Sequence, residues 1–257
     1  MCSGENKPNR HPKMIVGITK YLKKMIKTIK SFIILSLSLG VFYSCSNQDD
    51  ITTEPQTENL NYKTVKIGNF TSAEIGDLHN KALQSLKDNG KVKGSKEEII
   101  LTLQNSNFDS RVSDADISNA TNNLYQIKFF QNAQKSTLSK VENVEQLQED
   151  ALNFLVSKNE ISLGAKDEIN NLSTLSISEM KTKTDELLLS TVYTEKEKQY
   201  FAVYTNVYEN SNKFWNPNNS TARWQPYAAD AVGGVLGLYG GPVWSIVQGA
   251  LLSAAFD

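Results

Sequence analysis

The chain has 257 residues with 27 basic and 28 acidic side chains, a formal charge of −1, and two cysteines, Cys2 and Cys45. Eight of the basic residues and one acidic residue fall in 1–44, so the part from Cys45 onward carries 19 and 27, a charge of −8. That balance repels phosphate backbones and argues against nucleic acid as a partner, and a single thiol there excludes an intramolecular disulfide.

A basic segment (Lys20, Lys23, Lys24, Lys27, Lys30) runs into 14 uncharged residues, Ser31 to Ser44, and then into Cys45 and Ser46-Asn47-Gln48-Asp49-Asp50. Charged region, apolar region and a small residue before a cut are the layout of a secretory signal peptide. Residues 1–13 precede any such signal; Met14 or Met25 is the more ordinary start, and Met25 to Ser44 makes a compact leader. An uncleaved transmembrane anchor is the competing reading, but the run is short of the roughly 20 residues that span a bilayer.

Phe42-Tyr43-Ser44-Cys45 resembles a bacterial lipobox. Ser44 fits the small residue before the cut, while Phe42 and Tyr43 depart from the usual Leu and small residue. With the acidic pair Asp49-Asp50 downstream, the segment is similar to surface lipoproteins of the Bacteroidota. The resemblance implies that Cys45 receives a lipid and becomes the mature N-terminus, that Asp49 and Asp50 act as an export signal, and that the protein sits on the outer membrane, facing the cell surface or the periplasm. It covers about thirty residues and implies no activity.

From Ile51 to about Asn69 the composition is Thr, Glu, Asn and Pro with few large apolar residues. Together with Cys45, residues 45–69 read as a flexible tether. Helix-start signals follow from Phe70. Thr71 with Glu74 is a capping box, and Phe70 facing Ile75 is a hydrophobic staple; Ile75, Leu78, Ala82, Leu83 and Leu86 then recur at helical spacing up to Gly90. The same grammar recurs at Ser95/Glu98, at Ser113/Asp116 (a longer helix through Leu124, Ile127 and Phe130), at Asn143/Gln146, at Ser176/Glu179 and at Thr194/Glu197. The last opens an aromatic helix with Tyr200, Phe201, Tyr204, Val207, Tyr208 and Phe214 on one side. Strand signals are scarce outside the spacer. The expected fold is all-α, a bundle of six or seven helices over residues 70–228, with successive helices antiparallel.

After Trp215 come a loop, Asn216 to Ser220, and an aromatic connector, Trp224 to Tyr227; Ala231 to Phe256 then contains no charge in 26 residues. Residues 229–257 read as a Gly-rich apolar tail in which Asp230 caps a first half, Gly240-Gly241-Pro242 breaks it, and Pro242 opens a second. Three readings compete: a buried C-terminal helical hairpin, a helix-association face in lipid built on Gly233, Gly237 and Gly241, and a membrane-active element whose composition is similar to small bacteriocin-like peptides. The helix around Ile75 to Asn80 and the Gly-rich tail are together also similar to a loose group of Bacteroidota lipoproteins that brings no known reaction.

From Cys45 on, the chain holds one histidine, His79, beside the apolar stripe of its helix; a partly buried or boundary position fits it better than a catalytic one. Zinc needs three or four Cys/His-type ligands, and no metal or cofactor is expected. Ser178-Glu179-Met180-Lys181 matches Ser-x-x-Lys, yet falls in a helical first turn without companion triplets, and no nucleophile elbow, phosphate loop or EF-hand is present. Carboxylate pairs such as Glu97-Glu98 and Asp185-Glu186 sit in first turns or on polar faces, where they complement helix dipoles. The expectation is a non-enzymatic module bound to the membrane by its lipid, which engages a protein or glycan at the cell surface. Its candidate surface is the aromatic region of Tyr200, Tyr204, Tyr208, Trp215, Trp224 and Tyr227, with Trp215, Trp224 and Tyr227 foremost. The competing expectation is a membrane-active protein working through 231–256.

Overall fold

A computed structural model describes residues 61–91, 94–135, 140–216 and 226–256. The fold is all-α: ten helices and a two-stranded ribbon among the described residues. The ribbon is antiparallel, Lys66–Ile67 (β1) with Phe70–Thr71 (β2), and Ile67 faces Phe70. Gly68, at φ +59°, and Asn69 form its two-residue turn, the geometry that favours glycine in tight hairpins. Four capping boxes form as the sequence suggests, at Thr71, Ser95, Ser176 and Thr194, and Ser113 caps its helix as well. The helices they open are α1 (Ser72–Asp88), α2 (Lys96–Ser106), α3 (Asp114–Gln126), α7 (Ile177–Leu189) and α8 (Glu195–Trp215). α1 ends where Gly90, at φ +62°, lets the Gly90 and Lys91 amides turn back onto the Lys87 and Leu86 carbonyls, a Schellman closure.

Several elements differ from the sequence expectation. The long helix expected from Ser113 to Phe130 is two, α3 and α4 (Lys128–Lys135), because Ile127 turns extended at ψ 118°. Asn143 opens nothing: α5 (Lys140–Ser157) starts one turn earlier and carries Asn143 inside. α6 (Leu163–Thr174) has no box in its sequence. Ser162 accepts from the Ala165 amide, and the carboxylate that closes the motif comes from Glu197 of α8, which takes the Ser162 amide at 2.8 Å.

Residues 61–69, expected as the end of a flexible tether, are packed. Tyr62 and Ile67 are buried. The Tyr62 amide donates to Asp185, its carbonyl accepts from Asn206 (2.6 Å) and Ser72, and its hydroxyl donates to Glu209 at 2.8 Å. A Thr/Asn/Lys-rich composition hid one large aromatic whose every polar atom finds a partner. Residues 45–60 lie outside the described residues, as does the proposed signal peptide.

The C-terminal tail is a buried hairpin of α9 (Pro226–Leu238) and α10 (Pro242–Phe256), reversed at Gly241 (φ +109°). α9 also packs on α8 and α5, and α10 on α1 and α3. Glycine allows the two backbones to meet. A Cβ on Gly233 would lie 2.6 Å from the Gln248 carbonyl oxygen, and one on Gly237 closer still to that of Trp244; the Ser245 hydroxyl reaches the Gly234 carbonyl at 2.7 Å. Gly76 of α1 likewise sits against the Asn206 backbone of α8. Among the described residues no helix is long and apolar enough to cross a membrane. Hydrophobicity on every face is accounted for by burial on every face.

Candidate functional site

Trp215, at the last turn of α8, joins two features that the sequence does not place together. Its indole body is half-buried, edge-on to Phe214 with ring centroids 5.1 Å apart. The Lys87 ammonium from the end of α1 lies over both rings, 5.1 Å from Phe214 and 5.4 Å from Trp215, a cation–π arrangement. The indole N–H points inward and is shared between Ser253 Oγ (3.0 Å) and Asp230 Oδ2 (3.3 Å).

Asp230 is therefore not the cap of a C-terminal helix. α9 begins at Pro226, and Asp230, one turn in, has no exposed surface. Its Oδ2 accepts from the Ser211 hydroxyl as well as from Trp215, and lies 3.5 Å from His79 Nε2. His79 is fully buried and not a boundary residue; its Nδ1 is 3.0 Å from Asn80 Oδ1, which accepts only, so the ring carries hydrogen on Nδ1. Gly249 lies flat against the ring, with a position for Cβ 2.8 Å from His79 Cδ2. Burial lowers the His79 imidazole to about 4, with Asn80 and the Gly249 backbone pulling the other way. Burial also holds the Asp230 carboxyl well above the usual carboxylate range, against the opposing pull of Ser253 and Trp215. Both shifts come from removing a charge from water.

Serine, histidine and aspartate meet here in the wrong order for nucleophile activation. In a hydrolytic triad the imidazole stands between hydroxyl and carboxylate; here the carboxylate stands between, and the Ser211 hydroxyl is given to it. All three side chains are beyond the reach of solvent. The arrangement can store a proton and tie α1, α8, α9 and α10 at one point.

Of the aromatic residues expected at a surface, Tyr200 and Tyr204 are core, with hydroxyls on Glu160 (3.0 Å) and Gln148 (3.3 Å). Tyr208 is half-buried, stacks on Tyr204 at 6.1 Å, and takes the edge of Tyr227 at 4.9 Å. Tyr227 is itself half-buried at the start of α9. Trp215 and Tyr227 thus belong to two ring pairs, Phe214–Trp215 and Tyr208–Tyr227. Trp224, Cys45, Asp49 and Asp50 lie outside the described residues. No group of three or more His, Cys, Asp or Glu side chains able to hold a metal ion occurs among the described residues.

A second charged node sits on α8. The Glu209 carboxylate, buried, takes Lys181 (2.8 Å), Lys213 (3.0 Å) and the Tyr62 hydroxyl; burial opposes its charge, yet these three donors hold it down to about 2. Sequence reading missed both nodes. The signal for the first was present: Asp230 is the only charge between Pro226 and Phe256, and His79 the only histidine after His11. Comparison with known protein families, with characterised proteins and with solved structures finds no match.

Proposed function

We propose that the protein is a lipid-anchored module of the outer membrane, displayed at the cell surface, which binds a protein or glycan partner without catalysing a reaction. The observation that supports this best is the half-buried aromatic end formed by Phe214 and Trp215 under Lys87. Aromatic rings held in place by packing lose little entropy when a partner covers them, and Trp and Tyr carry much of the contact energy at interfaces. Tyr208 and Tyr227 form a second such pair on α8 and α9. The lipobox-like Phe42-Tyr43-Ser44-Cys45 and the acidic Asp49-Asp50 support the anchoring.

Mass spectrometry of the mature N-terminus, with protease shaving of intact cells, tests the address: a diacylglyceryl Cys45 and a shed fragment are expected, and an intact Ser44–Cys45 bond overturns it. For the binding role, the shed fragment is applied to a glycan array and to cells carrying no copy of the gene. Phe214→Ser with Tyr227→Ser is expected to abolish whatever binding the parent shows while leaving the fold intact; unchanged binding by this variant refutes the aromatic end.

One observation favours a second reading, a membrane-active protein working through 231–256. α9 and α10 are predominantly apolar, with Ser245, Gln248 and Ser253 as buried polar exceptions, and carry Asp230 as their only charge. At 13 and 15 residues each helix is about 20 Å long, short of the ~30 Å hydrocarbon core, so such action would be shallow insertion after undocking. Leakage of anionic vesicles by the full chain, lost on deleting 231–257, is its test.

A further inference from the structure

The C-terminal hairpin has one ionisable carboxyl, and the fold places it at the point where the hairpin meets the rest of the bundle. Asp230 of α9 faces His79 of α1 across 3.5 Å, with Ser211 and Trp215 of α8 on the same oxygen and Ser253 of α10 on the Trp215 indole. We propose that His79 and Asp230 hold a single proton between them, and that this proton is the latch that keeps the α9–α10 hairpin docked against α1 and α8.

The proton balance is simple. With one proton the pair is Oδ2–H facing Nε2, or carboxylate facing Nε2–H of an imidazolium; either form has no net charge. The Nδ1 hydrogen is committed to Asn80 Oδ1, so loss of the shared proton to solvent leaves a bare carboxylate pointing at the Nε2 lone pair. Neither His79 Nε2 nor Asp230 Oδ1 has a hydrogen-bond partner among the described residues, so Nε2 is open to a proton from Oδ2 3.5 Å away, and the two donors on Oδ2 are neutral.

Among the described residues no other charge faces the pair from the helices in contact with it. α10 has none. On α8 the facing groups are Ser211 and Trp215, while Glu209 is turned to Tyr62, Lys181 and Lys213. On α1 the neighbour is Asn80, and Lys87 lies over the Trp215 ring, whose N–H edge meets Asp230. From α3, Gln248 of α10 is met by the Ala120 carbonyl and Asn123. With no cation among the described residues to replace the lost proton, the carboxylate reaches a counter-charge or water only by moving out. α9 and α10 move together, because Gly233, Gly237 and the Ser245 hydroxyl lock their backbones. Burial acts on both partners in the same sense, raising the Asp230 carboxyl and lowering the His79 imidazole to about 4, which places the shared proton on the carboxyl oxygen.

Linkage fixes the direction. Undocked, the two groups titrate near 3.9 and 6.5. Between those values the undocked pair carries one proton, as the docked pair does, and docking does not depend on pH. Above about pH 6.5 the undocked pair has lost its proton and the docked pair keeps it, so docking weakens about tenfold per pH unit until the latch itself ionises.

The test is amide hydrogen exchange on the full chain between pH 5 and 9, corrected for intrinsic exchange. Protection of α9 and α10 amides is expected to be flat below about pH 6.5 and to fall about tenfold per unit above it. Asp230→Asn, whose carboxamide keeps the shape and does not titrate, is expected to remove that slope. A flat wild-type profile, or an equal slope in the two proteins, overturns the latch. If Asp230→Asn does not fold, imidazole nitrogen NMR on the His11→Ala chain decides: His79 is expected to show no ordinary titration from pH 5 to 8, and a free titration near 6.5 in the folded protein overturns the proposal.

Discussion

Glu197 and Ser162, 35 residues apart, share one helix-start motif: the Glu197 carboxylate accepts the Ser162 amide with Oε1 while Oε2 closes the capping box at Thr194. One buried side chain therefore fixes the starts of α6 and α8 together. Glu197→Gln leaves one face of this arrangement with a donor where an acceptor is needed, and a loss of about 2 kcal/mol in denaturant unfolding is expected. Both helices are affected, which exchange at the Ser162 and Thr194 amides will report.

The same carboxylate gives an acid-side pH dependence. Burial works against its ionisation, but Ser162 and Thr194 outweigh it and hold Glu197 below its ordinary value. A group with a depressed folded pKa contributes stability that is complete above its unfolded value, about 4.3, and is lost as pH falls through the folded value. Wild-type stability should therefore drop below about pH 4.3 more steeply than that of Glu197→Gln, as measured by urea unfolding from pH 3 to 6.

Tyr62 ties the segment before α1 to Asp185, Asn206, Ser72 and Glu209. Tyr62→Phe removes only the hydroxyl to Glu209 and is expected to cost about 1–2 kcal/mol. Tyr62→Ala also empties a buried site and should cost about 3 kcal/mol or more. Were residues 61–69 a solvated tether, both substitutions would leave the unfolding midpoint unchanged.

Two glycine-to-alanine changes separate close approach from backbone conformation. At Gly233 the added methyl meets the Gln248 backbone at 2.6 Å, and a carbonyl cannot rotate away as a flexible side chain can. A loss of about 2–3 kcal/mol is expected, net of the helix propensity gained. Gly90 has open space and φ +62°, so Gly90→Ala should cost about 1 kcal/mol from the left-handed backbone alone. Equal losses at the two sites would contradict the close packing of α9 on α10.

What the residues could announce was local. Capping boxes at Thr71, Ser95, Ser176 and Thr194 are decided within four residues, because a hydroxyl and a carboxylate three positions apart reach each other's amides in any helix start. Apolar spacing on α1 and α8 likewise names its own buried face, and a charge-free run from Ala231 announces burial or lipid. Asn143 shows the limit of this grammar: a matching pair is no cap when the helix already runs through it.

What the tertiary structure decided was every relationship that depends on a partner far along the chain. Ser162 has Ala165 where a capping box needs a carboxylate and borrows Glu197; Tyr62 sits in a polar, spacer-like stretch and is buried by α7 and α8. His79 and Asp230 are 151 positions apart, and only the antiparallel packing of α9 and α10 against α1 and α8 brings them to 3.5 Å. A residue's period fixes the face it lies on, whereas the field and solvation it meets there are set by whatever other helix covers that face.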